Sequence, residues 1–255
     1  MAEGHFHIDP ISQFAITPIF EFNIGGYNLA YTNSSLFMTI AVGLIGLFFL
    51  IASKRADLIP SRMQAAAEMS YEGIANLVRE NAGPEAMKFF PLIFAIFFLV
   101  LLGNLLGMIP GSFTFTSHIA VTAAMAFTLF LFITVLGFAI HGLHFLSRFL
   151  PPGVPMVMAP LIFILEVISY FVRPVTLSVR LFANMMAGHM VLKVFAYFAL
   201  GLLTSGSIVL MAVGILPLAM NVAIIALEFF VAGLQALIFT ILTCVYLRDA
   251  LVIEH

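Results

Sequence analysis

Residues 173–190 read RPVTLSVRLFANMMAGHM, and this stretch decides where the chain must lie. It carries two arginines and a histidine but no carboxylate, and it sits inside a long apolar run. Ionisable side chains in such runs are costly to bury, so they usually serve a function and face the protein interior or a water-filled cavity. The stretch therefore predicts an intramembrane site that includes Arg173, Arg180 and His189.

The composition of the 255-residue chain places it in a lipid bilayer. Hydrophobic residues make up 63% of the sequence and charged residues only 9%, whereas a soluble domain is typically about 25% charged. The Lys and Arg residues are scattered and form no basic face, which argues against a nucleic-acid partner. The single Cys244 rules out an internal disulfide. The N-terminus lacks the features of a cleavable signal, so we expect it to be retained.

The apolar runs predict an all-α integral membrane protein that forms a single membrane domain over residues 1–255. In this prediction, residues 1–34 are an exterior N-terminal segment, and three roughly perpendicular spans cover residues 35–53, 89–109 and 118–140. Residues 60–82 mix charged and apolar side chains, which is typical of an amphipathic helix at the membrane surface. A soluble connecting helix is the alternative.

Two further apolar runs, residues 161–203 and 208–246, are too long for upright spans. A helix of this length extends about 60 Å at ~1.5 Å per residue, whereas the hydrocarbon core is about 30 Å thick. Neither run has a polar loop in its middle, so we predict two long, strongly tilted helices that form a hairpin near Thr204. Pro174 and Pro217 are candidate bends. Short helices broken in the middle are the alternative.

Basic residues in short loops predict the orientation, because Lys and Arg accumulate on the cytoplasmic side. They fall between the first two spans, before the first long run and after the second, at Lys54, Arg55, Arg62, Arg79, Lys88, Arg148 and Arg248. All of them share one side if the N-terminus is exterior and the C-terminus is cytoplasmic.

Polar residues in the two long runs form separate groups. One stripe follows helical spacing in the first run, at Glu166, Ser169, Arg173, Thr176, Arg180 and Asn184. A second stripe repeats every seven residues in the second run, at Asn221, Glu228 and Gln235. His189 lies nine residues after Arg180, on roughly the opposite face. This arrangement fits two separate polar paths better than one straight pore. Each path would cross part of the membrane on a different helix face, and the two would meet near Arg180.

The chemistry of Arg180 suggests a fixed cation rather than a proton carrier. Arginine is effectively always protonated, so it cannot relay protons, but it can attract a carboxylate and favour its ionised form. No suitable carboxylate lies near Arg180 in its own helix, so we hypothesise that the partner carboxylate belongs to another polypeptide.

Histidine and glutamate side chains can relay protons, which arginine cannot. Histidine suits this task because it changes its charge near physiological pH. His189 and Glu228 could pass protons between them, with an inert buried ion pair as the alternative. A hairpin symmetric about Thr204 would set Glu228 opposite Arg180. The pairing of the two helices must therefore shift by several residues before Glu228 can contact His189.

The spacing GNLLG around Asn104 predicts close helix packing.

The stretch RLFANMMAGH, residues 180–189, is similar to a signature of subunit a of F-type ATP synthases. The similarity extends back through RPVTLSVR and forward to ALEFFVAGLQALIFTILTCVYL, and HIDPISQF and GNLLGMIPGSFTFTSH are also of the bacterial type. The resemblance implies a non-catalytic stator subunit that couples proton flow to ring rotation and ATP synthesis in the bacterial plasma (inner) membrane, without cofactor or metal. The implied partners are the ring of c subunits with its membrane carboxylates, b-type peripheral-stalk subunits and the rest of the complex.

The resemblance also implies roles for particular residues. Arg180 matches the essential arginine that faces the ring carboxylates and separates two offset aqueous half-channels. Asn184 and Gln235 match polar positions near it. Glu166 matches an acidic position on the cytoplasmic access route, and Arg173 matches a position that is basic in the family.

His189 and Glu228 match a coupled pair on the exterior access route. The commonest bacterial pattern has the glutamate first and the histidine second, and the order here is reversed, which leaves the order of proton transfer open.

A self-contained ion channel or secondary transporter, with the same residues lining its own pore, is the alternative function. An intramembrane enzyme is disfavoured, since the sequence contains neither HExxH nor GxSxG.

Overall fold

The computed structural model describes residues 14–24, 27–54, 59–109, 112–149 and 157–252. Arg55 and residues 1–13 of the predicted exterior segment lie outside this part. The described helices are α1 (Asn33–Ser53), α2 (Arg62–Ala82), α3 (Phe90–Gly107), α4 (Ile119–His141), α5 (Ala159–Leu203) and α6 (Ile208–Leu251). Short 3₁₀ segments cover Pro84–Phe89, Phe115–Ser117 and Gly142–Phe149.

Among the described residues, five helical segments are long and apolar enough to cross a membrane: Asn33–Ser53, Pro84–Gly107, Ile119–Phe149, Ala159–Leu203 and Ile208–Leu251. The chain is therefore an all-α integral membrane protein, as its sequence predicted. The amphipathic α2 is not among these segments. Its Ser61 N-cap accepts a hydrogen bond from the backbone N–H of Gln64 at 3.3 Å, which satisfies one of the free donors at the start of the helix.

An antiparallel pair of strands, β1 (Pro18–Ile24) and β2 (Tyr27–Thr32), precedes α1 and was not predicted. Within β1, residues 20–24 (FEFNI) alternate apolar with polar residues, and this period of two is the signal for a strand. The prediction treated residues 1–34 as one exterior segment and did not use that signal.

Helix α2 packs its apolar stripe within the protein. Its buried Ile74, Ala75 and Val78 belong to one hydrophobic cluster with Cys244 and Leu247, near the C-terminal end of α6. Apolar residues elsewhere on α2 stay exposed, with Met69 at 73%. The stripe that predicted an amphipathic helix is thus largely accounted for by contacts with α6 and α3.

Helices α5 and α6 are continuous over 45 and 44 residues, through Pro174 and Pro217. At ~1.5 Å per residue each is about 66 Å long, roughly twice the thickness of the hydrocarbon core. They are antiparallel and packed side by side. The connection between them includes Gly206, whose φ of 73° is a conformation that favours glycine.

The register of the α5–α6 pair differs from that of a hairpin symmetric about Thr204. Such symmetry would place Gly188 opposite Met220, but the side chain of Glu228 lies against Gly188 instead, a shift of eight residues. The pairing of Gly214 of α6 with Leu202 and Leu203 of α5 shows the same register close to the connection. This register brings Glu228 to His189.

Residues 112–118, which we call the strap, lead from α3 towards α4 and pack closely on α3. A Cβ atom at Gly103 would overlap the ring of Phe115, and one at Gly107 would overlap the side chain of Thr114. The GNLLG spacing therefore serves close packing on two sides: the glycines lie against the strap, and the side-chain N–H of Asn104 donates to the carbonyl of Ala232 on α6 at 3.4 Å. The small residues admit the strap.

Candidate functional site

One group of polar side chains lies between α5, α6 and the strap; we call Thr114, His189, Asn221 and Glu228 the His189 cluster. His189 is buried, and its Nδ1 atom lies 3.9 Å from Oε1 of Glu228. On the other side of the ring, Nε2 lies 3.1 Å from Oγ1 of Thr114. The structure thus brings the two predicted relay residues together and adds a threonine that the sequence analysis did not select.

Glu228 is 4% exposed, and neither of its carboxyl oxygens has a hydrogen-bond partner among the described residues. The same holds for Oδ1 of Asn221. Gly188 provides the space for the carboxyl group, since a Cβ atom there would overlap Oε1 of Glu228. Buried polar groups without partners are costly, so such a site favours water or a mobile proton.

A cavity of about 880 Å³ adjoins these groups and supplies the room for water. All four members of the His189 cluster line it, together with Lys193 and the ring of Phe14. Since one water occupies about 30 Å³ of liquid, the cavity has room for many. The His189 cluster is therefore a small group of polar side chains on the wall of a largely apolar cavity that is large enough for water.

A second group, Arg148, Glu166, Arg173 and Asp249, lies towards the other end of the α5–α6 pair; we call it the Arg173 cluster. Arg173 is within 3.5 Å of Oε1 of Glu166 and 3.3 Å of Oδ2 of Asp249. Arg148 forms an ion pair with the same oxygen of Asp249. The guanidinium of Arg173 also lies 5.3 Å from the ring centroid of Tyr246.

Arg173 is therefore neutralised by carboxylates from outside residues 173–190. The sequence analysis missed Asp249 because the predicted end of the helix was residue 246, whereas α6 continues to Leu251. A signal was available: the stripe through Asn221, Glu228 and Gln235 repeats every seven residues, and two further repeats reach position 249.

Arg180 lies between the two clusters on the outer face of α5. Its side chain is exposed, and within the described ranges it makes no hydrogen bond or ion pair. Thr176 and Asn184, four residues to either side, are exposed on the same face. At ~1.5 Å per residue, Arg180 is about 10 Å along α5 from Arg173 and about 14 Å from His189.

The structure does not gather every predicted site residue around Arg180. Gln235 is 6% exposed, and no hydrogen bond joins its side chain to Arg180. The next residue after the arginine, Leu181, is buried in a cluster with Ala236 and Phe239 of α6. Arg180 and Asn184 thus face outward from a packed α5–α6 seam, and Gln235 lies within that seam.

This combination of five apolar helical segments with ionisable side chains inside them is typical of a membrane protein that moves ions. The sequence profile of the family described as "ATP synthase A chain" matches residues 35–248, which is most of the chain. The protein belongs to this family.

Named relatives agree over nearly the whole length. The chain is 52% identical to ATP synthase subunit a of Parvibaculum lavamentivorans over 248 residues, covering 97% of this chain and 95% of the relative. It is 52% identical to ATP synthase subunit a of Rhodospirillum rubrum over 242 residues, covering 95% of this chain and 98% of the relative. It is 50% identical to ATP synthase subunit a of Mesorhizobium japonicum over 248 residues, covering 97% of this chain and 98% of the relative.

Family membership establishes the general assignment. The chain is a non-catalytic membrane subunit of ATP synthase, associated with the rest of that complex. Its bacterial relatives and its apolar helices make it a multi-pass protein of a bacterial membrane.

Proposed function

We propose that this subunit offers protons two separate half-channels to carboxylates on a rotating ring of c subunits, with Arg180 as the fixed cation between them. The observation that carries the proposal is the position of Arg180. It is exposed, without a hydrogen bond or ion pair to any described residue, and it lies between two polar clusters that do not touch. A permanent charge kept free of its own chain's acids is available to an acid on another subunit.

The His189 cluster serves as the exterior half-channel in this proposal. Its cavity and its unsatisfied carboxyl oxygens support proton uptake, since they place room for water and a titratable group side by side. Protons pass His189 and Glu228 and neutralise a ring carboxylate. The neutral carboxyl group can then turn through lipid, which a charged one could not do without a large desolvation cost.

The route along Glu166 serves as the cytoplasmic half-channel. After nearly a full turn of the ring, the carboxyl group loses its proton there, and Arg180 holds the ionised form between steps. Asn184 shares the outer face with Arg180, which fits a polar contact beside the ring. The driving force is about 2.3 kcal/mol per charge per 100 mV, so several protons must combine for each ATP.

The rest of the assignment follows from the same proposal. The chain acts as a single membrane domain, with its N-terminus exterior and its C-terminus cytoplasmic. Long helices α5 and α6 lie strongly tilted along the ring, because each is roughly twice as long as the hydrocarbon core is thick. Peripheral-stalk subunits of b type hold the chain stationary while the ring turns.

Arg180→Ala in the purified, reconstituted ATP synthase tests the proposal. We expect the complex to assemble and proton-driven ATP synthesis to be lost. Val179→Ala is the matched control, because Val179 is the exposed neighbour of Arg180 and carries no charge; it should keep nearly normal synthesis. Normal coupling in Arg180→Ala would reject the role of the arginine.

The rival function, a self-contained channel or transporter, predicts a different result for the chain alone. Liposomes that contain only this subunit would then conduct protons. The proposal predicts no such conductance until the ring is added, because the two half-channels join only through the ring carboxylates.

A further inference from the structure

Thr114 makes two contacts that bear on the protonation pattern of His189. Its Oγ1 atom lies 3.2 Å from the carbonyl oxygen of Gly107 and 3.1 Å from Nε2 of His189. A carbonyl oxygen can only accept a hydrogen bond, so the hydroxyl proton of Thr114 points at Gly107. The hydroxyl oxygen must then act as the acceptor towards His189, which requires a proton on Nε2.

We propose that Thr114 is a positioning residue: it holds neutral His189 in the Nε2–H tautomer, so that the free lone pair of Nδ1 faces Glu228. The inference rests on the proposed function, because it specifies how the exterior half-channel is arranged. When Glu228 is protonated, its carboxylic acid group then faces a hydrogen-bond acceptor, the lone pair of Nδ1, and not a second N–H donor. The distance of 3.9 Å between Nδ1 and Oε1 exceeds a direct hydrogen bond by roughly 1 Å, so a small side-chain movement or one water completes the path.

The arrangement also gives the proton a single way on and off the ring of His189. Glu228 donates its proton to Nδ1 and becomes a carboxylate, while His189 becomes an imidazolium with a proton on each nitrogen. Because Thr114 has already committed its own proton to Gly107, it cannot pass one onward from Nε2. The proton therefore returns through Nδ1, and His189 takes part in the exterior route by exchanging protons with Glu228.

The strap holds Thr114 firmly enough for this task. The absence of a side chain at Gly107 lets Thr114 approach the end of α3. The carbonyl of Thr114 accepts hydrogen bonds from the backbone N–H of Ser117 at 3.1 Å and from its hydroxyl at 2.6 Å. Phe115 is fully buried beside Gly103. The hydroxyl of Thr114 is thus oriented by its surroundings and is not a free rotor.

The test is ¹⁵N NMR of the whole reconstituted ATP synthase with labelled histidine, recorded at a pH where His189 is neutral. The chain has seven histidines, so the spectrum of a His189→Gln complex identifies the signals of His189. In the unmodified protein we expect the proton on Nε2. Thr114→Val keeps the shape but removes the acceptor, and it should shift the tautomer ratio about tenfold towards Nδ1–H, the equivalent of about 1.4 kcal/mol.

Two variants separate the role of the hydroxyl from simple packing. Thr114→Ser restores the acceptor and should restore the Nε2–H tautomer. Thr116→Val is the matched control, because Thr116 is equally buried in the strap and its hydroxyl has no hydrogen-bond partner among the described residues; it should leave the ratio unchanged. A proton on Nδ1 in the unmodified protein, or the same ratio in Thr114→Val, would overturn the proposal.

Proton-driven ATP synthesis by the same complexes distinguishes this inference from the function on which it rests. We expect a several-fold lower rate for Thr114→Val and a nearly normal rate for Thr114→Ser. If the tautomer shifts as expected but the rate is normal in both Thr114→Val and His189→Gln, the positioning role stands and the exterior route through His189 fails.

Discussion

The His189 cluster and the Arg173 cluster use similar residues on the same two helices, yet their charges are arranged in opposite ways. In the Arg173 cluster, two arginines and two carboxylates are joined by three ion pairs, so the formal charges cancel. In the His189 cluster, the carboxyl oxygens of Glu228 lack hydrogen bonds to described residues and adjoin a cavity of about 880 Å³.

The contrast separates a network whose charges are paired with one another from one whose carboxyl group lacks hydrogen-bond partners among the described residues. A network in which every charge has a partner holds together the helices that carry it. A buried carboxyl group without partners is costly to leave charged and dry. The protein therefore retains that cost at the His189 cluster and avoids it at the Arg173 cluster.

The largest expected effect comes from removing the carboxyl group of the His189 cluster. Glu228→Ala should lower proton-driven ATP synthesis about a hundredfold or more, since a positioned acid–base group typically contributes ~10²–10⁴-fold to rate. The amount of assembled complex should stay normal, because Glu228 makes no hydrogen bond whose loss would weaken the fold. Reconstituted proteoliposomes and the subunit content of purified complexes would give both values, and a normal rate would remove the His189 cluster from the path.

A smaller loss should follow when the space around that carboxyl group is filled. In Gly188→Ala, the added Cβ atom would overlap Oε1 of Glu228, and the displaced carboxyl group should slow synthesis about tenfold. Gly201→Ala is the matched control on the same helix, because nothing lies within 4 Å of a Cβ atom there. Equal rates for the two variants would show that the position of Glu228 is unimportant.

In the Arg173 cluster the corresponding change should affect stability first. Asp249→Ala leaves Arg148 and Arg173 without their shared carboxylate. The side chains of the cluster are 16–35% exposed, so we expect a loss of roughly 1–3 kcal/mol, below the cost of breaking a fully buried pair. Thermal unfolding of the purified complex in detergent should detect it as a lower Tm. An unchanged Tm with strongly reduced proton transport would contradict the structural assignment.

The smallest effect on stability is expected at Glu166. Its ion pair with Arg173 is the longer one, at 3.5 Å, and its side chain is 35% exposed. Glu166→Gln should therefore cost less than about 1 kcal/mol, in the range of exposed pairs. If Glu166 also lies on the cytoplasmic route, ATP synthesis should fall several-fold without a change in Tm. A normal rate and a normal Tm together would place the cytoplasmic route elsewhere.

Much of the architecture could be predicted because the bilayer restricts the choices. Apolar runs of about 20 residues predict helices, since the hydrocarbon core satisfies no exposed backbone group. Two longer runs without a polar break predicted α5 and α6. The class of fold and the approximate helix positions followed from hydropathy, and the family was indicated by RLFANMMAGH.

The site contacts depended on details that hydropathy does not contain. The eight-residue shift that brings Glu228 to His189 is set by how α5 and α6 pack side by side. Asp249 was missed because the last turn of α6 lies beyond the apolar run. Thr114 was missed because it belongs to the strap, 75 residues before His189. Such long-range contacts arise from packing, and local spacing cannot predict them.

The central claim is that Arg180 serves a carboxylate on another subunit. A structure of the assembled ATP synthase from the same organism would test it through one distance, from the guanidinium of Arg180 to the nearest carboxyl group on a neighbouring protein. We predict a separation within about 4–6 Å for at least one ring position, the range over which a cation favours the ionised form of an acid. A guanidinium that is paired with an acid of its own chain, with no second protein within that range, would contradict the account.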